Sequence, residues 1–261
     1  MKANWKIALM CLATLAFLAC NKDKNPATDP GTTTTEDTIP GGGDQGGGGD
    51  GEYTSPIKIN DNSVADWDKL DQSKVAVFNM PEDPLYTAMK TIKVYADQVY
   101  INYMIIFDPA EITSRTPNDG MHIYMDADNS AETGGYWDQF DGPNQGNTDL
   151  MFEGPIFGET GENISYAPSV SKWAGALNGE GWLWEELPAA SNLGASQFVG
   201  DNIIEGRLVK QYIPWDKWTD QFSIGFDMQQ NWESVGLLPQ ANTPDGELIG
   251  RAKKLLVTFD K

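Results

Sequence analysis

The 261 residues carry 38 acidic against 18 basic side chains, a formal net charge of −20 at neutral pH. Such an excess repels a phosphate backbone or an anionic lipid surface, which excludes nucleic acid and leaves cations and neutral ligands as the partners the surface admits. Both cysteines, Cys11 and Cys20, fall near the start of the chain, and there is one histidine. The rest therefore holds no disulfide, no thiol nucleophile and no Cys-rich or His-rich metal cluster.

Residues 1–20 begin with Lys2 and Lys6 and continue as an apolar run from Ile7 to Ala19. That run is too short to span a bilayer and has the form of a secretory signal peptide. It ends Phe17-Leu18-Ala19-Cys20, which resembles the lipobox of bacterial lipoproteins, with Phe17 standing where Leu is usual. The resemblance implies lipidation of Cys20, export, and a membrane contact made through the lipid anchor only; an ordinary cleaved signal is the alternative. Residues 21–52 follow as a linker, with Thr32 to Thr35 and the glycine runs 41–43 and 46–49. So few apolar side chains cannot offset the entropy of ordering, and the segment reads as a flexible tether. Asn21-Lys22-Asp23-Lys24 is similar to the export signals of surface lipoproteins in Gram-negative glycan-degrading bacteria, which implies the outer membrane and the cell surface.

Residues 53–261 are predicted to form a single all-β domain. Ile57-Lys58-Ile59 reads as a short strand, followed by a polar turn and by Asp66-Trp67-Asp68, where Trp67 plugs the end of a core. Thr91 to Phe107 alternates as a hairpin turning at Asp97-Gln98, although neither turn residue is the glycine such a loop prefers. Met121 to Asp138, MHIYMDADNSAETGGYWD, starts as a strand with Ile123 and Met125 alternating against His122 and Tyr124, then enters an acidic turn. Further strand-like runs lie at 148–152, 164–170, 181–185, 202–210, 221–228 and 254–259, and one helical turn is expected at 216–220 after Pro214. Many short strands separated by turn residues, with no sustained 3.6-residue period, predict an antiparallel β-sandwich.

Asp66-Trp67-Asp68, the hairpin turning at Asp97, the strand running into Asp126-Ala127-Asp128-Asn129, Asp149 to Glu153, and Ile213-Pro214-Trp215 together resemble family 9 carbohydrate-binding modules and their DOMON-like relatives. The resemblance covers most of 57–261 and implies a β-sandwich with structural calcium and a sugar site flanked by aromatics. One departure is the longer separation of Glu205 from Ile213-Pro214, which leaves strand register there open.

The acidic turn fails the EF-hand count, since position 6 from Asp126 is Ala131 and position 12 is Trp137. Asp126, Asp128, Asp138 and Asp149 are the expected calcium ligands once the resemblance is granted; without it a solvated acidic turn is the plainer reading. Of eight tryptophans beyond Trp5, Trp173, Trp232 and Trp137 stand among Gly, Asn, Ser and Glu and are expected on exposed loops, stacking on sugar. Trp182 and Trp184 fit either core or platform. His122 is expected as a strand histidine with a local hydrogen bond rather than a haem ligand, because Met121 points to the opposite face. The expected function is non-catalytic binding of a polysaccharide or oligosaccharide by a cell-surface lipoprotein, beside glycan transporters or hydrolases. A hydrolase using a carboxylate pair drawn from Glu153, Glu185 and Glu186, and a structural or adhesive surface protein, are the alternatives.

Overall fold

The computed structural model describes residues 53–135, 140, 147–179, 181–188, 191–240 and 252–261. All of these belong to one compact unit, Gln45–Lys261. The leader with Cys20, the linker to residue 52, Trp137 and Asp138 lie outside the described residues.

Twelve strands are described: β1 (Ala76–Asn79), β2 (Met89–Ala96), β3 (Tyr100–Phe107), β4 (Gly120–Asp126), β5 (Leu150–Pro155), β6 (Ser169–Trp173), β7 (Trp184–Leu187), β8 (Gly194–Val199), β9 (Ile203–Val209), β10 (Gln221–Gln230), β11 (Glu233–Leu238) and β12 (Leu255–Thr258). They form two antiparallel sheets. The first has the order β1-β2-β3-β9-β8; the second has the order β11-β10-β4-β5-β6-β7, with β12 also paired to β10. The long β10 takes two partners along one edge, β12 against 221–224 and β11 against 226–230. Alternate residues of both sheets, among them Ile92, Ile105, Ile123, Phe152, Ile204 and Phe226, meet in one apolar core. This is the β-sandwich that the alternation predicts.

The hairpin of β2 and β3 turns through residues 97–99, and the Asp97 side chain explains why no glycine is needed. Its Oδ1 accepts the backbone N–H groups of Val99 and Tyr100, both at 2.8 Å, an aspartate side chain standing in for a backbone turn bond. Ile57 and Ile59 do not form a strand. Both are buried with Trp67, Tyr95 and Met104 in a smaller cluster on the outer side of the first sheet. Trp67 does plug that cluster: its Nε1–H donates to Glu205 Oε1 at 2.7 Å, and Gln197 Nε2 donates to Oε2 at 2.6 Å. Burial pushes the Glu205 carboxyl above its usual range.

Three further expectations are corrected, the first being the strand-like run at 181–185: residues 181–183 are not in a strand, and β7 begins only at Trp184. Residues 164–168 are not in a strand, because Tyr166 turns into the core, where its hydroxyl donates to Met121 O at 3.0 Å; β6 starts only at Ser169. No helical turn forms at 216–220. Instead a 3-10 turn, Lys210–Tyr212, directly follows β9 and takes up the additional residues between Glu205 and Ile213-Pro214. Strands β1, β8 and β11 had no signal in the sequence. Each is a short or glycine-containing strand at the edge of its sheet, where a single neighbour imposes little alternation.

Candidate functional site

The outer face of the second sheet carries the chemistry. Register places Asp227, His122, Glu153 and Ser169 side by side in one row across β10, β4, β5 and β6. The next row is Gly225, Tyr124, Met151 and Ser171. Gly225 is required there: a Cβ would lie 2.2 Å from Phe140 Cζ, so its absence lets the Phe140 ring lie on the sheet against Tyr124.

At one end of β4 the backbone brings three carboxylates together. Oxygens of Asp126, Asp128 and Asp149 all lie within 4.8 Å of one another. Asp126 closes β4, Asp149 precedes β5, and Asp149 N–H donates to Met125 O at 2.9 Å. Asp149 Oδ2 accepts from Ala127 N–H at 2.9 Å, whereas its Oδ1 is buried with no hydrogen-bond partner among the described residues. Burial, then the Asp149 charge, pushes the Asp126 carboxyl up to about 7. Burial, then the Asp128 charge, pushes Asp149 up to about 6. Carboxylates gathered out of water with an oxygen left unbonded are a donor set that fits a hard cation preferring oxygen. Gly134, at φ +72°, keeps the turn close: a Cβ there would lie 2.7 Å from Thr148 O and 3.0 Å from Asp149 Oδ1. Thr133 Oγ1 bonds Asp128 Oδ1 at 2.9 Å.

The tryptophans separate by role. Trp173 is half-buried at the end of β6. Its Nε1–H donates to Ala176 O at 2.9 Å, and its ring meets Trp184 edge-on at 5.4 Å. A Cβ on Gly135 would lie 1.9 Å from Trp173 Cε2, so the indole is pressed onto backbone. It borders an open cavity of about 440 Å³ together with Asp149, Lys172 and Trp215. Trp182 is 52% exposed; Trp184 is half-buried beneath Trp173. Trp173 and Trp232 line different cavities and form no shared clamp.

Trp232 is the outlier. It is 67% exposed, and it sits with Asn231 in the two-residue turn between β10 and β11, Gln230 pairing with Glu233. Both turn residues have positive φ, 51° at Asn231 and 67° at Trp232, the type I′ arrangement that favours Asn-Gly. A bulky side chain at positive φ is strained by roughly 1–2 kcal/mol, and exposure gives it little packing in return. The turn is also clamped: Asn231 N–H donates to Asp119 Oδ1 at 2.8 Å, while Thr116 N–H donates to Asp119 Oδ2 at 2.8 Å. Gln230 exchanges two further bonds with Thr113.

Below Trp232 lies a groove of about 300 Å³ lined by Asn118, His122, Glu153, Ser169 and Gln229 among others. His122 Nε2 lies 3.5 Å from Glu153 Oε1, and this contact holds the Glu153 carboxyl below its usual range. His122 stacks on Tyr124, and its Nδ1 is buried with no hydrogen-bond partner among the described residues. An exposed indole face over amide, hydroxyl and carboxylate groups offers an apolar platform with polar groups beside it. Sequence reasoning placed Trp232 but passed over Asn118 and Gln229 and gave His122 only a structural role. The available signal was Asn-Trp where a hairpin asks for Asn-Gly.

The three glutamates considered for catalysis are not brought together. Glu153 lines the Trp232 groove, Glu185 the Trp173 cavity and Glu186 a third cavity near Leu193.

Fold and surface thus define an all-β, two-sheet sandwich with an acidic cluster and an aromatic groove at opposite ends of one outer face. No family model matches the chain, and no curated protein matches it. Among solved structures it is similar to a family 9 carbohydrate-binding module from Caldicellulosiruptor kristjanssonii in complex with cellotriose. That likeness has 11% identity and a TM-score of 0.35, and covers 80% of this chain and 91% of that one.

Proposed function

We propose that this chain binds carbohydrate without turning it over, as a lipid-anchored protein of the outer membrane facing the cell surface. One observation carries the reading: an exposed tryptophan held at positive φ, in a turn braced by Asp119, above a groove of uncharged polar groups and one carboxylate. Sugar rings present flat C–H faces to an indole, and their hydroxyls can exchange hydrogen bonds with Asn118 and Gln229 and donate to Glu153. Strain retained on an exposed aromatic side chain is a mark of a functional position. Bracing by Asp119 and Thr113 pre-organises the platform, which lowers the cost of binding.

In the same reading Asp126, Asp128 and Asp149 hold calcium as a brace, with Asp138 as a fourth ligand. The ion would neutralise carboxylates that burial otherwise disfavours as charged groups. Residues 21–52 serve as the tether from lipidated Cys20, placing the domain near glycan transporters or hydrolases. Affinity electrophoresis against a panel of soluble polysaccharides tests the proposal. The wild type is expected to be retarded by at least one and Trp232→Ala by none; a wild type retarded by no polysaccharide would sink it.

A further inference from the structure

The groove beneath Trp232 has a chemical bias that a neutral sugar does not need. Among the described residues no lysine or arginine lines it, and its one carboxylate is Glu153. Glu153 Oε1 faces His122 Nε2, while no hydrogen bond to Oε2 is found among the described residues. His122 Nδ1 is buried, and no hydrogen-bond partner for it is found among the described residues. Asp227, in register beside His122 on the side away from Glu153, is a further buried carboxylate. Asp119, behind the turn, has its oxygens taken by Asn231, Thr116 and Ser114. The groove therefore presents polar side chains, a carboxylate and an open indole face, with no lysine or arginine in its lining among the described residues. That combination suits a ligand cation: an ammonium brings three donors, pairs with a carboxylate, and is attracted to a tryptophan face.

We infer that the Trp232 groove prefers a sugar carrying a free, protonated amine, with Glu153 as the residue that sets the preference. This rests on the glycan-binding reading and narrows it to amino sugars, placing N-acetylated, neutral and uronate-bearing glycans below them. Glu153 supplies the charge, His122 fixes the carboxylate's orientation, and Trp232 supports the ring. A uronate would bring a second carboxylate against Glu153 with no lysine or arginine in the described lining to pair with it.

The test is isothermal titration of the full chain at pH 6 and 0.15 M salt with three β-1,4-linked trisaccharides: of glucosamine, N-acetylglucosamine and glucose, which differ only at C2. The glucosamine trimer is expected to bind about tenfold tighter than the other two, as one charge-assisted contact implies. Glu153→Gln should bring the three within about twofold of one another. Glu185→Gln, which removes the same charge away from the groove, should leave the preference intact. Equal affinity of the wild type for all three overturns the inference and leaves the glycan-binding reading standing. A preference that survives in Glu153→Gln, or is lost in Glu185→Gln, also overturns it, because the chain's overall charge would then be the cause. Failure of all three trimers together with the polysaccharide panel would strike at the glycan-binding reading itself.

Discussion

Replacing Trp232 with glycine separates stability from binding in a way few substitutions in this chain allow. In the turn, the change releases a side chain from positive φ, a gain of roughly 1–2 kcal/mol. Against it stands the burial that the indole does achieve. With 67% of the residue exposed, only a minor part of the area an aromatic ring can bury is lost, about 1–2 kcal/mol at 25 cal/mol/Å². Glycine's larger freedom in the unfolded chain removes a further 0.5–1 kcal/mol or so. The terms nearly cancel, so Trp232→Gly is expected to melt within about 4 °C of the wild type for a domain of this size. Trp232→Ala loses the same contacts but keeps a Cβ at positive φ, and should be about 1 kcal/mol less stable than the glycine variant. Both should lose glycan retention, a loss of ~2 kcal/mol or more if the ring is the central anchor. Differential scanning calorimetry and affinity gels on the three proteins decide the matter. An alanine variant as stable as the glycine one would refute the strain; a melt lowered by more than about 10 °C in both would make Trp232 a structural pin.

Trp173, also expected to bind sugar, should behave in the opposite way to Trp232: Trp173→Ala removes an indole packed on Gly135 and Trp184, and is expected to cost about 2–4 kcal/mol by urea titration while leaving the Trp232 groove's affinity unchanged. Calcium at about 100 times its dissociation constant should add about 2.7 kcal/mol, a rise of roughly 5–10 °C in melting temperature that a chelator reverses and that Asp149→Asn diminishes. The pH dependence of the metal-free protein has a defined sign. Asp126 and Asp149 have folded-state values of about 7 and about 6, above the roughly 3.9 of an unfolded aspartate. The folded state then binds more protons, so stability falls as pH rises from about 4 to about 7. Melts of chelated protein at pH 5 and pH 7.5 check this, and the calcium-induced rise should be larger at pH 7.5, where protons no longer compete. Trp67→Phe removes the donor to buried Glu205 Oε1 and is expected to cost about 1–3 kcal/mol for the unpaired oxygen.

Much of this molecule is legible in the sequence because its strands alternate. Ile123 and Met125 against His122 and Tyr124, and the paired runs around Asp97, assign faces and a fold class without any coordinates, since a pleat has period two. The family resemblance, and not turn chemistry alone, is what names Asp126, Asp128, Asp138 and Asp149 as expected oxygen donors. Register between strands decides the rest. That Asp149 reaches Asp126 depends on how β5 lies against β4, and that His122 stands between Asp227 and Glu153 depends on β10 joining β4 across about a hundred residues of chain. The edge strands β1, β8 and β11 and the buried path of Ile57 and Ile59 were invisible for the same reason: long-range partners, and not local pattern, hold them. Asn231-Trp232 shows both limits at once. The sequence by itself sets Asn before a bulky Trp after a strand-like run; only the pairing of β11 with β10 makes this a hairpin turn, above a groove and tied to Asp119, as the proposed platform requires.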